Sequence, residues 1–263
     1  MTILDRLAEH ARERVTQAKA ERALPAVRRE ALAMPKGDFG FERALSGSEL
    51  AFICECKKAS PSKGLIAPDF PYLDIATDYE AAGAEAISVL TEPKWFLGKD
   101  EYLLQIAEKV SIPCLRKDFT VDEYMLYEAK LLGASAVLLI CAILDTGQLR
   151  DYIEICDGLG LSALVEAHNE SEVEAALHSG ARIVGVNNRN LKDFSVDPGN
   201  SSRLRKMVPG EVLFVSESGV RNARDIQAAR ETGADAVLVG EVLMRAENRR
   251  AKLAELRGVY DEN

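Results

Sequence analysis

Acidic and basic residues occur at the ends of short apolar runs at widely separated points of this sequence. Glu55 and Lys57 are two residues apart at the end of one run, Lys117 ends a second run, and Glu166 ends a third. A carboxylate and an ammonium group held side by side have the residue types for general acid–base catalysis. Burying such charges costs several kcal/mol each unless they are paired, which a purely structural protein has little reason to bear.

Two other apolar runs are followed by amide, guanidinium and carboxyl side chains. Asn187 and Arg189 follow one run, and Glu217 ends the other. If the ends of all these runs meet in the fold, they form a ring of lysines, glutamates, an arginine and an asparagine around one site. For Glu55 and Glu217 a second interpretation stays open, in which these carboxylates only hold the lysines in place.

Three charged neighbours of this set have an alternative role. Successive side chains of a strand point to opposite faces, so Lys58, Arg116 and Asp118 could face outward or form structural ion pairs. We therefore place Lys57, Lys117 and Glu166, rather than these three, at the centre of the predicted chemistry.

A predicted anion site lies near the carboxyl end of the sequence. Ser218-Gly219 and Gly240-Glu241 each lie between an apolar run and a helical pattern. Glycine lets an anion approach the main chain, and the N–H groups of a helix start favour negative charge. The sequence thus predicts a phosphate site formed by these two loops.

A repeat indicates the elements that position these residues. A helical pattern ends in Gly-Ala and an apolar strand follows, in four copies at 82–90, 132–140, 179–186 and 232–239. Glycine caps a helix by taking the left-handed conformation. The copies are roughly 50 residues apart, whereas one strand–helix unit needs only roughly 30. Each interval should hold a second strand, and suitable apolar runs occur at 51–56, 113–116, 161–166 and 212–216.

Eight strands alternating with helices predict a (β/α)₈ TIM barrel. The helical patterns are at 72–82, 101–110, 122–132, 147–157, 171–178, 221–231 and 242–256. Residues 1–263 are expected to form a single domain, with 1–48 as an N-terminal helical extension that could cover one mouth of the barrel. An open doubly wound sheet is the alternative. In a barrel of this kind the chemistry lies at the carboxyl ends of the strands, which is where the polar residues occur.

Composition limits the partners and the compartment. The net charge of −9 and the pI near 5.1 argue against generic binding to nucleic acid or to anionic membranes. No apolar stretch is long enough to span a bilayer, and the N-terminus lacks the core of a signal peptide, so we expect a cytoplasmic protein. The five cysteines are expected to be reduced and mostly structural, because no second Cys/His pair completes a zinc site with Cys54 and Cys56.

Several motifs resemble those of the indole-3-glycerol phosphate synthase family, and they occur in the family's order. The resemblance covers about residues 1–258, and a segment at 90–98 resembles the family's loop after strand 2. The matching motifs are Glu55-Cys56-Lys57-Lys58-Ala59-Ser60-Pro61-Ser62-Lys63-Gly64, Leu115-Arg116-Lys117-Asp118-Phe119, Leu164-Val165-Glu166-Ala167-His168, Gly185-Val186-Asn187-Asn188-Arg189-Asn190-Leu191, Ser216-Glu217-Ser218-Gly219-Val220 and Val239-Gly240-Glu241.

The resemblance implies a reaction of the tryptophan pathway. Its substrate is 1-(2-carboxyphenylamino)-1-deoxyribulose 5-phosphate, and ring closure, decarboxylation and dehydration give indole-3-glycerol phosphate, CO₂ and water. No organic cofactor and no metal are implied. The partners implied are this phosphorylated small molecule and neighbouring enzymes of the pathway, with no nucleic acid and no membrane.

The resemblance also suggests roles for the residues. Lys117 would protonate the C2′ carbonyl oxygen, Lys57 would bind the anthranilate carboxylate, and Glu166 would serve as an acid or a base opposite one of the lysines. The expected catalytic residues are Lys117, Glu166, Lys57, Glu55 and Asn187. The expected substrate-binding residues are Arg189, Ser60, Ser218, Gly219, Gly240 and Glu241. Many family members carry serine at the position of Glu241, so only its main-chain N–H is expected to help bind phosphate.

Two other functions are compatible with the pattern. A phosphoribosyl-substrate isomerase on the same barrel would use an acid–base pair and the same phosphate loops, but it would not need Glu55, Lys57 and Lys117 together. A non-enzymatic subunit that binds a phosphorylated metabolite would use the cationic ring without turnover. It would have no need for an acid and a base in one site.

Overall fold

A computed structural model describes residues 2–190 and 194–258 of the chain. Leu191, the last residue of one of the motifs above, lies outside the described residues. Eight parallel strands form a closed barrel. They are β1 Ala51–Cys56, β2 Ala86–Leu90, β3 Cys114–Lys117, β4 Ala136–Ile140, β5 Ser162–Ala167, β6 Ile183–Asn187, β7 Leu213–Glu217 and β8 Ala236–Val239.

Each strand pairs with its neighbour in sequence, and β1 closes the barrel against β8. Ala51 lies opposite Ala236 and Cys54 lies opposite Val239 in this closing pair. The predicted TIM barrel is confirmed, and the alternative of an open doubly wound sheet is excluded. Continuous burial along the strands agrees with a parallel sheet that is covered on both faces.

Three strands extend one residue further toward the carboxyl end than predicted, and begin one residue later. In β7, for example, Val212 lies in a turn, where its N–H donates to the carbonyl oxygen of Pro209. The shift places Lys117 and Glu217 within the strands, as the last residues of β3 and β7. Their side chains are therefore held by the hydrogen-bonded ladder rather than by a loop.

The four Gly-Ala repeats end helices as predicted. Gly83, Gly133, Gly180 and Gly233 all have positive φ, between 77° and 84°. Only glycine takes this conformation without strain, and it turns each helix directly into the next strand. The helices are α1 Ile3–Glu21, α2 Leu24–Ala33, α3 Gly40–Leu45, α4 Tyr72–Ala81, α5 Asp100–Lys109, α6 Glu123–Leu131, α7 Thr146–Leu159, α8 Glu170–His178, α9 Gly199–Leu204, α10 Ala223–Thr232, α11 Glu241–Met244 and α12 Arg249–Arg257.

The N-terminal extension reaches both ends of the barrel, whereas the sequence suggested one mouth. At the carboxyl end, Arg14 of α1 forms a bidentate ion pair with Asp118, which directly follows β3. At the opposite end, Phe41 and Leu45 of α3 are fully buried against the inward-facing side chains of the barrel. The Glu42 N–H also contacts Ser162 Oγ at the start of β5. Helix α3 thus closes the end that carries stability, and α1 lies over the end that carries chemistry.

A close backbone contact joins the segment between α2 and α3 to the body of the barrel. The Gly37 N–H donates to the Leu159 carbonyl oxygen at the end of α7. A Cβ added at Gly37 would lie 2.3 Å from the Gly160 carbonyl oxygen, and one added at Gly160 would lie 2.1 Å from the Gly37 oxygen. Both positions therefore require glycine. Among the described helices, none is long and apolar enough to cross a membrane.

Candidate active site

A cavity of about 1080 Å³ opens at the carboxyl end of the barrel. Every residue that the sequence analysis placed in a site lines it, although the residues come from six different strands and their loops. They are Glu55, Lys57, Ser60, Lys117, Glu166, Asn187, Arg189, Ser218, Gly219, Gly240 and Glu241. The predicted convergence of the strand ends therefore occurs in the structure.

Glu55 and Lys57 form an ion pair at the end of β1. Glu55 Oε1 lies 2.7 Å from Lys57 Nζ, and Ser88 of β2 donates to Glu55 Oε2 at 3.4 Å. Burial alone would raise the pKa of Glu55, but Lys57 and Lys117 hold it below its usual value. Glu55 is therefore an anion that orients the Lys57 side chain at the cavity wall.

Lys117 lies between two carboxylates on the far side of the barrel. Its Nζ is 3.4 Å from Glu166 Oε2 and 3.5 Å from Glu217 Oε2. Burial alone would lower the pKa of Lys117, yet Glu166, Glu217 and Glu55 raise it above its usual value. Lys117 is therefore an ammonium ion at neutral pH, which suits a proton donor.

The two carboxylates next to Lys117 carry different charges. Burial would raise the pKa of Glu166, but Lys117 and His168 lower it, so Glu166 is ionised. Burial together with the nearby charge of Glu166 raises the pKa of Glu217 to about 8, against the attraction of Lys117. Two carboxylates beside one ammonium cannot both ionise cheaply, and the site resolves this by keeping a proton on Glu217.

Glu217 was predicted in the ring of charged residues, with a supporting role as the alternative, but not among the expected catalytic residues; it lines the cavity. Gly185 in β6 is a feature of the sequence that reflects the position of this carboxyl group. A Cβ added at Gly185 would lie 2.2 Å from Glu217 Oε1. The neighbouring strand must therefore carry glycine at this point to leave room for the carboxyl group.

Asn187 and Arg189 form the wall beyond β6. Asn187 Oδ1 accepts from the Arg189 N–H at 3.0 Å, and Arg189 Nη1 donates to the Phe194 carbonyl oxygen at 3.2 Å. Asn187 also forms a hydrogen bond with Glu166 that favours the ionised carboxylate. The arrangement orients an amide and a guanidinium group toward the same space as Glu166.

The predicted anion corner combines unusual backbone with nearby cations. Ser218 and Gly219 have successive positive φ values of 66° and 97°. A Cβ added at Gly240 would lie 2.6 Å from Glu55 Oε1, so the main chain passes close to the acid–base residues. Four further cations, to which the sequence assigned no role, also line the cavity, namely Lys63, Arg221, Arg245 and Lys252.

Glu241 brings a carboxylate into this corner. Its Oε1 lies 3.1 Å from Arg245 Nε and 3.6 Å from Lys63 Nζ. These two cations offset its charge, and only its main-chain N–H is suited to an anionic ligand. Ser60 enters the same corner from the short hairpin Ala59–Ser60 and Gly64–Leu65.

The opposite side of the cavity is apolar and was not predicted. Phe96 and Phe119 lie with ring centroids 6.1 Å apart, and Ile3, Leu4 and Leu7 of α1 also line the cavity. This side can pack against an aromatic ring of a ligand. The cavity therefore has an apolar end, a cationic end, and acid–base residues between them.

Of the three charged neighbours with an open role, Arg116 and Asp118 are buried and form ion pairs. Arg116 is buried and donates to Asp100 and Glu128 at 2.7 Å each. Asp118 borders the cavity, but its carboxylate accepts from Arg14, from Thr91 Oγ1 and from the Phe119 N–H. The Lys58 carbonyl oxygen accepts from two main-chain N–H groups of the loop after β1. For Arg116 and Asp118, the structural ion pairs are the interpretation that the contacts support.

The chain is similar over nearly its whole length to proteins of one family. The family model described as indole-3-glycerol phosphate synthase matches residues 4–256. An indole-3-glycerol phosphate synthase from Ruminiclostridium cellulolyticum is 60% identical over 257 residues, covering 97% of this chain and 99% of that protein. One from Endomicrobium trichonymphae is 51% identical over 256 residues, with coverage of 97% and 99%. The family predicted from the motifs is confirmed.

Solved structures with lower identity share the fold. A 3-hexulose-6-phosphate synthase matches with a TM-score of 0.63 at 15% identity, over 80% of this chain and 99% of that chain. A thiamine phosphate pyrophosphorylase from Pyrococcus furiosus matches with a TM-score of 0.59 at 18% identity, over 80% and 94%. At such identities the likeness supports the barrel architecture alone.

Proposed function

Since this chain belongs to the indole-3-glycerol phosphate synthase family, we propose that the cavity at the carboxyl end of its barrel is where the family's reaction takes place. The family consists of carboxy-lyases of tryptophan biosynthesis. The reaction closes the ring of 1-(2-carboxyphenylamino)-1-deoxyribulose 5-phosphate and removes CO₂ and water, which gives indole-3-glycerol phosphate. The observation that carries the proposal is the placement of Lys117 between an ionised Glu166 and a protonated Glu217.

The two ends of the cavity match the two ends of the substrate. The phosphate binds between the loops at Ser218-Gly219 and Gly240-Glu241, where main-chain N–H groups would hold it and the cations of the cavity lining would offset its charge. The anthranilate ring packs against Phe96, Phe119 and the first turns of α1. Lys57 pairs with the ring carboxylate, and Arg189 and Asn187 contact the hydroxyl groups or the carboxylate. These contacts hold the ring carbon close to the C2′ carbonyl, which is the main requirement for ring closure.

Lys117 starts the reaction as an acid. When the ring carbon attacks C2′, negative charge develops on the carbonyl oxygen, and the Lys117 ammonium donates a proton to it. The carboxylate then leaves as CO₂, and its bonding electrons restore the aromatic ring. The neighbouring carboxylates raise the pKa of Lys117 and so keep it in the donor form until this step.

Dehydration needs an acid for the departing hydroxyl and a base for the C1′ proton. Lys117, now a neutral amine, takes the C1′ proton and returns to its starting charge. Glu166, which is ionised at rest, must first gain a proton, and it then gives that proton to the hydroxyl, which leaves as water. The C–O bonding electrons leave with the oxygen, and the C–H bonding electrons form the C1′–C2′ double bond of the indole. A positioned acid or base of this kind contributes ~10²–10⁴-fold to the rate.

We propose further that the enzyme works in the cytoplasm and beside other enzymes of the same pathway. The five cysteines, at 54, 56, 114, 141 and 156, are free thiols, as expected in a reducing compartment. Residues 1–263 would act as one domain, because α1 and α3 pack on opposite ends of the same barrel.

An assay of the purified chain tests the function directly. Addition of the anthranilate-derived ribulose phosphate should produce indole absorbance and release one CO₂ per indole formed. A phosphoribosyl isomerase would release no CO₂, and a binding protein would show no indole even in a single turnover. Either of these results would refute the proposed reaction.

A further inference from the structure

A histidine outside the cavity contacts the proposed acid. His168 follows β5, two residues after Glu166, and its Nε2 lies 3.4 Å from Glu166 Oε1. Its ring is not among the groups lining the cavity. The distance is long for a hydrogen bond, and within the described part of the chain this buried Nε2 has no hydrogen-bond partner. A buried, unpaired ring nitrogen aimed at a carboxylate requires an explanation.

The other side of the imidazole ring is fixed by a second carboxylate. Glu172 Oε2 accepts from the His168 main-chain N–H at 2.8 Å and lies 3.0 Å from Nδ1. Asn169 in turn donates to Glu172 Oε1 at 2.7 Å. A carboxylate at Nδ1 keeps a proton on that nitrogen, so Nε2 is the position at which His168 gains or loses a proton.

The reaction consumes one proton from solution in each turnover. The substrate enters with a carboxylate that leaves as neutral CO₂, so the products carry one negative charge less than the substrate. In the proposed mechanism Lys117 recovers its proton from C1′, whereas Glu166 loses one to the departing water. Glu166 is ionised at rest, and it can act as an acid only if a proton is supplied to it.

We propose that His168 is a positioning residue that shares one proton with Glu166 and supplies the proton consumed in each turnover. At rest the imidazolium Nε2–H faces the Glu166 carboxylate. During dehydration the proton moves from Nε2 to Oε1 and on to the hydroxyl, which leaves as water. The neutral imidazole then regains a proton from solvent, which reaches the buried Nε2 when the partly exposed ring moves. This inference rests on the proposed role of Glu166.

The charges around His168 favour this state. Burial would lower the pKa of His168, but Glu172, Glu166 and Glu217 together raise it above its usual value. Two further titratable groups lie near these carboxylates: Lys117, 3.4 Å from Glu166 Oε2, and Cys141, whose Sγ contacts the Glu172 carbonyl oxygen. Burial, Glu172 and Glu166 raise the pKa of the Cys141 thiol to about 12, so this thiol stays neutral. The surrounding carboxylates thus favour the protonated form of His168.

The first test compares His168→Gln, His168→Ala and a matched control, His178→Gln. His178 is exposed, and its Nδ1 contacts the Glu174 carbonyl oxygen of its own helix. We expect both His168 variants to lose about tenfold or more in kcat with KM nearly unchanged, because the ring does not line the cavity. The control should behave as the wild type. Imidazole should restore part of the rate of His168→Ala, in proportion to the concentration of its protonated form.

A second test keeps His168 and changes its surroundings. Glu172→Gln removes one carboxylate, so the pKa of His168 should fall and the alkaline limb of the kcat profile should move to lower pH. The chain has three histidines, so the ring signals of His168 can be assigned by their loss in His168→Gln. Their titration by NMR should also shift downward in Glu166→Gln. This measurement does not depend on activity, and the loss of the His178 signals in His178→Gln checks the assignment independently of the His168 variants.

Different outcomes separate this inference from the proposed function. Normal turnover in Glu166→Gln would refute the role of Glu166 itself. A strong loss in Glu166→Gln, with wild-type kcat and pH profile in the His168 and Glu172 variants, would overturn only the role of His168. The role of His168 would also be overturned if imidazole does not restore the kcat that His168→Ala loses. It would be overturned as well if the NMR titration of His168 does not shift in Glu166→Gln.

Discussion

Lys117 Nζ and Glu166 Oε2 lie 3.4 Å apart in the cavity although they are 49 residues apart in the chain. Their strands are not neighbours, since β4 lies between them. The pair therefore exists only because the barrel closes and directs both side chains inward. The same closure brings Glu217 to the other side of the Lys117 ammonium.

Removal of either member of this pair should abolish most of the turnover. Lys117→Ala removes the proton donor for ring closure, and Glu166→Gln keeps the shape of the side chain but cannot give or take a proton. Each should lower kcat by ~10²–10⁴-fold. Steady-state indole formation measures the loss, and circular dichroism checks that the variants are folded. A folded variant with near wild-type turnover would contradict the assigned role.

Glu217 should make the stability of the enzyme depend on pH. Its pKa rises from 4.5 in the unfolded chain to about 8 in the folded one. Between these values the folded state holds a proton that the unfolded state has lost, so stability falls as pH rises. Glu217→Gln has no proton to lose in this pH range, so the fall in stability caused by Glu217 should be absent in this variant. Denaturant unfolding at pH 5.5 and pH 8 should show that the advantage of Glu217→Gln over wild type is larger at pH 8, and an equal difference at both values would contradict the burial of this proton.

The contact between Arg14 and Asp118 should hold α1 over the cavity. Asp118 is fully buried and Arg14 is only 20% exposed, so Arg14→Ala leaves a buried carboxylate without its main partner. We expect a loss of about 3 kcal/mol in the free energy of unfolding, at the lower end of the range for broken buried pairs. The protease sensitivity of α1 should increase as well.

Arg43→Ala is the matched control for this prediction. Arg43 forms an ion pair with Asp38 at the same distance of 2.6 Å, but both side chains are mostly exposed. Its removal should change the free energy of unfolding by less than about 1 kcal/mol. Equal effects of the two substitutions in chemical denaturation would show that burial does not determine the strength of the Arg14 contact.

Gly240→Ala should disturb the site without unfolding the barrel. The added methyl group would lie 2.6 Å from Glu55 Oε1 and 3.1 Å from Lys57 Nζ, so the ion pair must move. A shift of about 1 Å in such groups can reduce kcat/KM by up to 10²-fold. Gly210→Ala, where an added Cβ meets nothing within 4 Å, should leave kcat/KM unchanged. Equal kcat/KM values in the two variants would contradict the tight packing at Gly240.

The barrel could be predicted from the sequence because its helix ends are encoded locally. Each of the four Gly-Ala repeats fixes a left-handed C-cap and the start of a strand, and the strands alternate with helices throughout. The boundaries of β3, β5 and β7 were displaced by one residue. Such shifts arise from turns and pairing partners that the apolar pattern does not record.

The polar part of the site could also be predicted, but its apolar wall could not. Charged residues at the ends of buried strands are costly unless they are paired in a site, so Lys57, Lys117 and Glu166 could be recognised as site residues. The contribution of Ile3, Leu4 and Leu7 depends on how α1 docks, which a partner more than 100 residues away determines. The protonated state of Glu217 depends on burial and on two neighbouring charges, which no local pattern contains. Helix α3 was missed because its six residues are too few for a periodic signal.

The position of α1 links the stability of this N-terminal helix to the concentration of the ligand. Because this helix forms part of the wall around the bound molecule, any ligand that fills the space also holds the helix down. By mass action, each tenfold excess of ligand over its dissociation constant adds about 1.4 kcal/mol to the folded state. In cells with a high concentration of the anthranilate-derived sugar phosphate, the enzyme would therefore be more stable to unfolding and more resistant to proteases than in cells with a low concentration.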